Sequence, residues 1–404
     1  MVLVGVEKAK NLYWRMYSIG SMLGPYLMLD ESEHSELNNL LPDIEGVLSD
    51  INIERDGRLF RAPSPWHAAI CLSVLVHIST SVKGDYMKVN DHLGIPTKKT
   101  RIILRGQSDS KWDLVAKINR NSIDKDKETQ AVKVFCAILK SFYDLTDLNI
   151  KVPEIAFIAA AQHYGLATNL LDFTADPSVA VYFAATGQKT YDEQEAVVFA
   201  LPLDYAIQRG VEIIFPPPFI ERLYVQKGLF VSHQDNLRES CLEFRFPLSR
   251  EFTVIREGKG VCLLLKDPWL EGVTSFSKNC AESGKTLPTE ERGATEFYYE
   301  VYKQLGIPRY LRRSYAPKEL AKWIDYVSDM LYWLVFVKVN NQMGVDEEVM
   351  DFIVRANPGL TEVLIQIYEL LADINEGEGL INLAQGRRKL AKLFQASLSR
   401  TRST

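Results

Sequence analysis

The chain has 404 residues and a mass of 45.9 kDa, more than one hydrophobic core normally supports, which excludes a single small module. With 47% apolar and 25% charged residues it falls within ordinary globular usage, so a disordered, collagen-like or low-complexity chain is excluded as well. Its 47 basic and 52 acidic side chains give a net charge of −5 and a pI near 5.8, which rules out a polycation that wraps nucleic acid over its whole surface.

The five cysteines (Cys71, Cys136, Cys241, Cys262, Cys280) are odd in number and form no CxxC pair. They read as reduced thiols of a cytoplasmic chain, with no zinc spacing and no metal site. The opening segment MVLVGVEKAKNLYWRMYS lacks the pattern of a secretory signal. The most apolar run, Met330 to Val337, is too short to cross a bilayer and reads as a buried helix. No membrane partner is expected.

In chain order, residues 1–64 read as an N-terminal helical arm with too few apolar positions for a core of its own, packed on the central domain. Residues 65–317 mix strands and helices and read as that domain, of α+β class, around a central mixed or antiparallel sheet. Within it the β-branched run Thr100 to Leu104 predicts a short strand closed by Gly106. Val132, Phe135, Cys136, Leu139 and Phe142 recur at helical spacing. Ile155 to Gln162 is apolar almost all round and predicts a buried helix stopped at Gly165. Asp176 and Pro177 suit the N-cap and first position of the next helix, and Ala196 to Pro202 predicts a strand covered on both faces. Residues 318–404 read as helices only: Trp323, Val327, Met330, Leu331 and Leu334 form one apolar stripe, and Leu364, Ile367, Tyr368 and Leu371 another. From Arg387 onward there are six basic residues (Arg387, Arg388, Lys389, Lys392, Arg400, Arg402) and no acid. Subtracting those six leaves −11 on the rest of the chain, so the tail is a basic end on an acidic body, solvated or in contact with nucleic acid or an acidic protein.

Three stretches place polar groups against rigid apolar surroundings. In the first, Arg105 stands at the end of a hydrophobic strand before Gly106 and Gln107. There a planar five-donor group suits a phosphate or carboxylate, or else forms a structural ion pair. In the second, His163 and Tyr164 emerge from the end of the buried helix, while Asn169, Asp172, Phe173 and Thr174 lie on or beside a short strand. Asp172 is placed to hold His163 or Arg105, and a satisfied internal network is the structural alternative. In the third, alternation over residues 222–231 predicts a strand carrying Gln226 and Gly228 on one face.

The order LRGQ, then QHYGLATNLLDFTADPSVAVYFAA, then QKGLFVSH closely resembles the FRG domain family, named for a Phe-Arg-Gly motif. Leu104 stands where the family carries Phe, and Asn169 where it carries Arg. The resemblance extends over roughly 65–325, where Leu305 to Ile307 resembles the closing helix and Ser314 to Leu320 a degraded closing run. It implies a layout like that of ADP-ribosyltransferases and NAD-cleaving enzymes, with NAD as substrate and no metal, in a toxin or phage-defence effector. On that analogy Arg105 clamps a phosphate or ribose oxygen, Gly106 and Gln107 line the same site, and His163 bonds the nicotinamide ribose. Tyr164 or Phe173 stacks on nicotinamide, Asn169 and Thr174 border the ligand, and Gln226 occupies the later position, with Asp172, Glu239 or Glu243 supplying charge. A partner or inhibitor protein would act at the C-terminal helical region. The alternative is a non-catalytic nucleotide- or nucleic-acid-binding module, helped by the basic tail.

Overall fold

A strand with an unbroken apolar run must be covered on both faces, and within the strand Glu195–Pro202 the run Ala196 to Leu201 is 0% exposed throughout. Val197, Phe199 and Leu201 enter one core, while Ala196, Val198 and Ala200 enter another. The molecule is therefore built as layers on both faces of a central sheet. In the computed structural model the described residues are 2–19, 31–54, 57–80, 101–142, 152–186, 195–215, 220–252, 268–285, 317–339 and 342–403, with a few isolated positions between 287 and 304.

The chain begins with helices α1 (Val2–Ser18), α2 (Glu31–Asn39) and α3 (Leu41–Leu48), strands β1 (Asn52–Glu54) and β2 (Leu59–Arg61), and helix α4 (Pro65–Thr80). The middle of the chain runs β3 (Ile102–Gln107), α5 (Lys125–Phe142), α6 (Glu154–His163), β4 (Leu170–Thr174), α7 (Pro177–Thr186), β5 (Glu195–Pro202), α8 (Leu203–Gln208), β6 (Glu212–Ile214), α9 (Glu221–Val225), β7 (Gly228–Ser232) and β8 (Leu242–Pro247). Next come α10 (Pro268–Glu282), α11 (Pro317–Val335), the hairpin β9 (Phe336–Val339) and β10 (Gln342–Val345), then α12 (Glu347–Ala356), α13 (Pro358–Gly377) and α14 (Ile381–Ser403).

Among the described residues eight strands form one mixed sheet in the order β1-β2-β8-β5-β3-β4-β7-β6, antiparallel at every pairing except β2 with β8. The α+β class expected from the pattern is observed. The N-terminal region packs on the sheet as expected, with Ala9, Leu12, Tyr13 and Met16 of α1 buried in the core that also holds Leu104, Val198 and Phe244. It is not purely helical, however: β1 and β2 extend the sheet by two strands, β1 at its edge, since Leu59 and Phe60 are buried and pair alongside β8.

The opposite face carries α5, α6 and the C-terminal helices, and both apolar stripes expected there are buried. Two details depart from the sequence reading. The run Met330 to Val337 is not one helix, because the chain leaves α11 at Val335 and continues as β9, in keeping with the strand preference of its aromatic and β-branched residues. The C-terminal region thus contains a hairpin as well as helices. The basic tail is a docked helix: Ala384, Ala391, Phe394 and Leu398 of α14 are buried. Four of its six basic residues meet acids on neighbouring helices, Arg387 with Asp325, Arg388 with Asp373 and Glu376, Arg400 with Asp351, and Arg402 with Glu362. Much of the contrast between basic tail and acidic body is thus met inside the molecule.

The C-terminal region is joined to the sheet by Asn357, which is 0% exposed between α12 and α13. Its Nδ2 donates to the carbonyls of Ile213 and Ile353, and its Oδ1 accepts from the Phe215 amide at 3.1 Å. Truncation leaves buried backbone groups beside β6 unpaired, at roughly 1–3 kcal/mol each. Asn357→Ala is expected to destabilise the protein by about 2–4 kcal/mol in urea unfolding; a loss below about 1 kcal/mol would show that this anchor matters little.

Candidate functional site

The sheet has a seam. Strand β3 pairs with β5 over six residues and β4 pairs with β7 over five, but β3 and β4 share one residue pair, Leu104 with Thr174. Beyond it a cleft of about 460 Å³ lies against both strands, lined by β3 and β4, the end of α6, the first turns of α7 and the turn before β7. That volume falls in the range of small-molecule sites.

Gly106 explains how the cleft is walled. The sequence predicts that this glycine ends the strand, yet β3 continues through it to Gln107. A Cβ at 106 would stand 2.0 Å from the Ala180 carbonyl oxygen and 2.8 Å from the Ala184 nitrogen. Only a residue without a side chain lets α7 lie directly on the strand. The start of α7 is set as expected by Asp176, whose Oδ1 accepts from the amides of Ser178 and Val179.

Arg105 projects into the cleft. Its Nη1 donates to the Asp172 carbonyl at 2.6 Å and lies 3.6 Å from the Asp172 carboxylate. Its Nε is buried with no hydrogen-bond partner among the described residues. Burial lowers the guanidinium pKa, Asp172 raises it and nearby Arg120 lowers it again; the group remains a cation. Asp172 also accepts from Gln162 Nε2 at 2.9 Å and lies 4.0 Å from His163 Nδ1. The expectation that Asp172 holds either His163 or Arg105 is met by a geometry in which it faces both.

His163 is gripped from the other side. Arg222 Nε donates to His163 Nε2 at 2.7 Å and its Nη2 reaches the His163 carbonyl at 3.4 Å. A ring nitrogen that accepts a bond leaves the proton of the neutral imidazole on Nδ1, the side facing Asp172. Thr174 ties β4 to the next turn, its Oγ1 donating to the Gln226 carbonyl at 2.6 Å and accepting from the Asp176 amide.

Gln226 reaches the cleft by a different route from the one predicted. Residues 221–225 are helical, Gln226 caps that helix, Lys227 takes a left-handed φ of 45°, and the strand starts at Gly228. Apolar alternation over a short helix and turn imitates a strand, which is why the periodicity misleads. Gly106, Gln107, Phe173 and Thr174 also line the cleft, though the Phe173 ring is only 3% exposed. Tyr164 and Asn169 are not among its lining residues. The Tyr164 ring is buried in the core under the Arg222 guanidinium, and Asn169 is exposed, with its amide donating to Ser232 Oγ. The two other carboxylates considered lie elsewhere as well. Burial works to raise the Glu243 pKa, but hydrogen bonds from Arg238 and Arg245 outweigh it and hold the carboxyl below its ordinary range, while Glu239 sits in the turn Leu237–Ser240.

Sequence reasoning gave no site role to Lys117, Arg120, Trp112 and Arg222, all of which line the cleft, although Arg222 opens the alternating stretch 222–231. Lys117 and Arg120 are three apart across a 3₁₀ turn, the spacing that stacks side chains on one side of such a turn, and this was the signal to be found. Trp112, 43% exposed, is the accessible aromatic that Phe173 and Tyr164 are not. Among the described residues the cleft thus gathers four cations (Arg105, Lys117, Arg120, Arg222) and one carboxylate (Asp172). The described cysteines are free and buried, and burial pushes the Cys71 and Cys136 thiols up to about 12, unsuited to nucleophilic work. Among the described residues no cluster of three or more His, Cys, Asp or Glu converges as for a metal, and no helix is long and apolar enough to cross a membrane.

An α+β molecule whose mixed sheet opens into a cation-rich cleft is the class that fold and site define. Residues 100–193 match the family model of the FRG domain, a span that holds β3, β4, α6 and α7, whereas α9 and the turn before β7 lie beyond it. The match is narrower than the 65–325 span of the motif resemblance, and the closing segments at 305–307 and 314–316 lie outside the described residues. No curated protein and no solved structure matches the chain.

Proposed function

We propose that the cleft binds a dinucleotide of the NAD type and breaks its nicotinamide–ribose bond, as an NAD glycohydrolase or ADP-ribosyltransferase. The observation that carries this reading is the charge of the cleft, four cations against one carboxylate, with a buried Arg105 Nε–H left to be satisfied. A pyrophosphate supplies acceptors of the required sign, and guanidinium groups bind it with strong charge-assisted bonds.

In the reaction the C1′–N bond breaks heterolytically and its electron pair leaves with nicotinamide as a neutral ring. The ribose is left as an oxocarbenium ion, which water or an acceptor nucleophile then captures. Arg105, with Lys117 and Arg120, holds the pyrophosphate. Asp172 places a negative charge near the developing cation, fixed by Gln162 and His163, so little reorganisation is needed as charge develops. Arg222 engages His163 Nε2, so His163 serves as a positioning residue behind Asp172. Such an activity suits a toxin or phage-defence effector. Regulation through the C-terminal region is supported by Tyr326 of α11, which donates to the Gly228 carbonyl at 2.8 Å, at the turn bordering the cleft.

A second reading is a nucleotide-binding module without catalysis, favoured by the fact that Asp172 already faces Arg105 at 3.6 Å. Incubating the protein with NAD, alone and with proteins encoded beside it, and measuring free nicotinamide by chromatography tests both. Steady nicotinamide release supports cleavage. Intact NAD that nevertheless binds in calorimetry supports the second reading, and NAD that neither binds nor breaks removes both.

A further inference from the structure

We infer that Gln107 is the residue by which the cleft reads the base of its nucleotide, and that the base it selects is adenine. This rests on the nucleotide reading of the cleft. Gln107 is 5% exposed at the end of β3, lines the cleft, and its Nε2 lies buried with no hydrogen-bond partner among the described residues. A buried amide donor left unpaired is costly in a folded protein, and such groups are nearly always satisfied. The cleft wall therefore carries two orphaned donors on one strand face, Arg105 Nε and Gln107 Nε2. Two residues apart on a strand, their Cα atoms are separated by about 6.7 Å: the first side chain is a charged group suited to phosphate and the second a neutral, planar one suited to a polar ring edge.

The chemistry of the second partner is set by the amide. A glutamine side chain presents a donor beside an acceptor in one plane. The N7 acceptor and N6 amine of adenine answer that pair, whereas hypoxanthine and guanine place an oxygen where the amine would be. Trp112, 43% exposed and lining the same cleft five residues further on, offers a face on which a base can stack. Phosphate and base would thus be read in sequence along β3 and the segment after it.

The test uses ADP, IDP and GDP as probes, which share the diphosphate and differ at the base, titrated calorimetrically into the full chain. The unmodified protein is expected to bind ADP roughly 5- to 150-fold more tightly than IDP. Gln107→Leu should bring ADP down to the level of IDP while leaving IDP within about threefold, a change confined to one ligand that loss of folding would not produce. Gln107→Glu, which keeps the acceptor facing N6 and removes the donor facing N7, should weaken both ligands while leaving ADP the tighter of the two. Equal binding of ADP and IDP by the unmodified protein, or a preference that survives Gln107→Leu, overturns the proposal and leaves the nucleotide reading intact. If Gln107→Leu weakens nicotinamide mononucleotide and spares ADP, the amide reads a carboxamide and the adenine assignment falls. If ADP, ADP-ribose and pyrophosphate all fail to bind, the nucleotide reading fails and this inference with it.

Discussion

Gly106→Ala is expected to destabilise the protein by about 3–5 kcal/mol, or to abolish folding, the largest effect anticipated for any single methyl group here. The reason is the nature of the obstacle. Inserting a methylene into a core costs roughly 1–3 kcal/mol when side chains can turn aside. At Gly106 the new Cβ would stand 2.0 Å from one backbone atom of α7 and 2.8 Å from another, and neither can move without lifting the helix off β3. That helix lines the cleft through Val179, Ala180 and Phe183, so a variant that does fold should also bind ligand poorly. Gly386→Ala is the control. It lies within α14 with nothing within 4 Å of the added Cβ, and the change should stabilise by about 0.5–1 kcal/mol. Urea unfolding midpoints measured side by side decide the matter: an unchanged midpoint for Gly106→Ala would mean that α7 does not rest on β3 as described.

The second large effect separates binding from chemistry at the Arg105–Asp172 pair. Arg105→Ala removes a buried cation from the phosphate end of the cleft, and hydrogen bonds to charged groups contribute roughly 1.5–3 kcal/mol, so ADP-ribose should bind about 10- to 150-fold more weakly. Asp172→Asn keeps the shape and an oxygen to accept from Gln162, but removes the negative charge. ADP-ribose binding should then hold within about threefold or improve, because Arg105 loses a competing anion, whereas nicotinamide release should fall by about 10²–10³. Calorimetry with ADP-ribose and a nicotinamide assay on the same preparations read out the two halves. Equal losses of binding and release in both variants would assign Asp172 a purely structural role and would weaken the case for cleavage.

The parts of the fold legible in the sequence are those set by contacts close along the chain. The Asp176–Pro177 helix start, the Gly165 stop with its φ of 88°, the doubly buried β5 and the two C-terminal apolar stripes each arise from local spacing or from one residue's conformational preference. The misreadings occur where two local codes overlap. Residues 222–231 alternate like a strand but begin as a helix and turn, and the apolar run after Met330 passes from helix to hairpin without a polar break. Gly106 reads as a strand end because a glycine does not reveal whether it makes a turn or makes room.

The candidate site divides the same way. Arg105, Gln107, Asp172 and the Asp176 cap stand out because each is polar within an apolar run, a contrast any sequence displays. Tyr164 and Asn169 stand out for the same reason and lie away from the cleft. Lys117, Arg120 and Arg222 look like ordinary surface charges until the fold brings them around Arg105 and His163.

Length and composition determined that this chain would fold as more than one small module, and its motif order pointed to the family whose model matches residues 100–193. Near-neutral total charge determined much less, since it summed a basic end and an acidic body that the tertiary structure joins through ion pairs along α14. Tertiary structure alone decided that β3 and β4 part after a single residue pair, that α7 rests on Gly106, and that four cations and one carboxylate share the cleft. The physical reason is range. Secondary structure and caps depend on neighbours within a few residues, whereas the charge of a cleft depends on side chains more than a hundred residues apart, whose distance only the packed core sets.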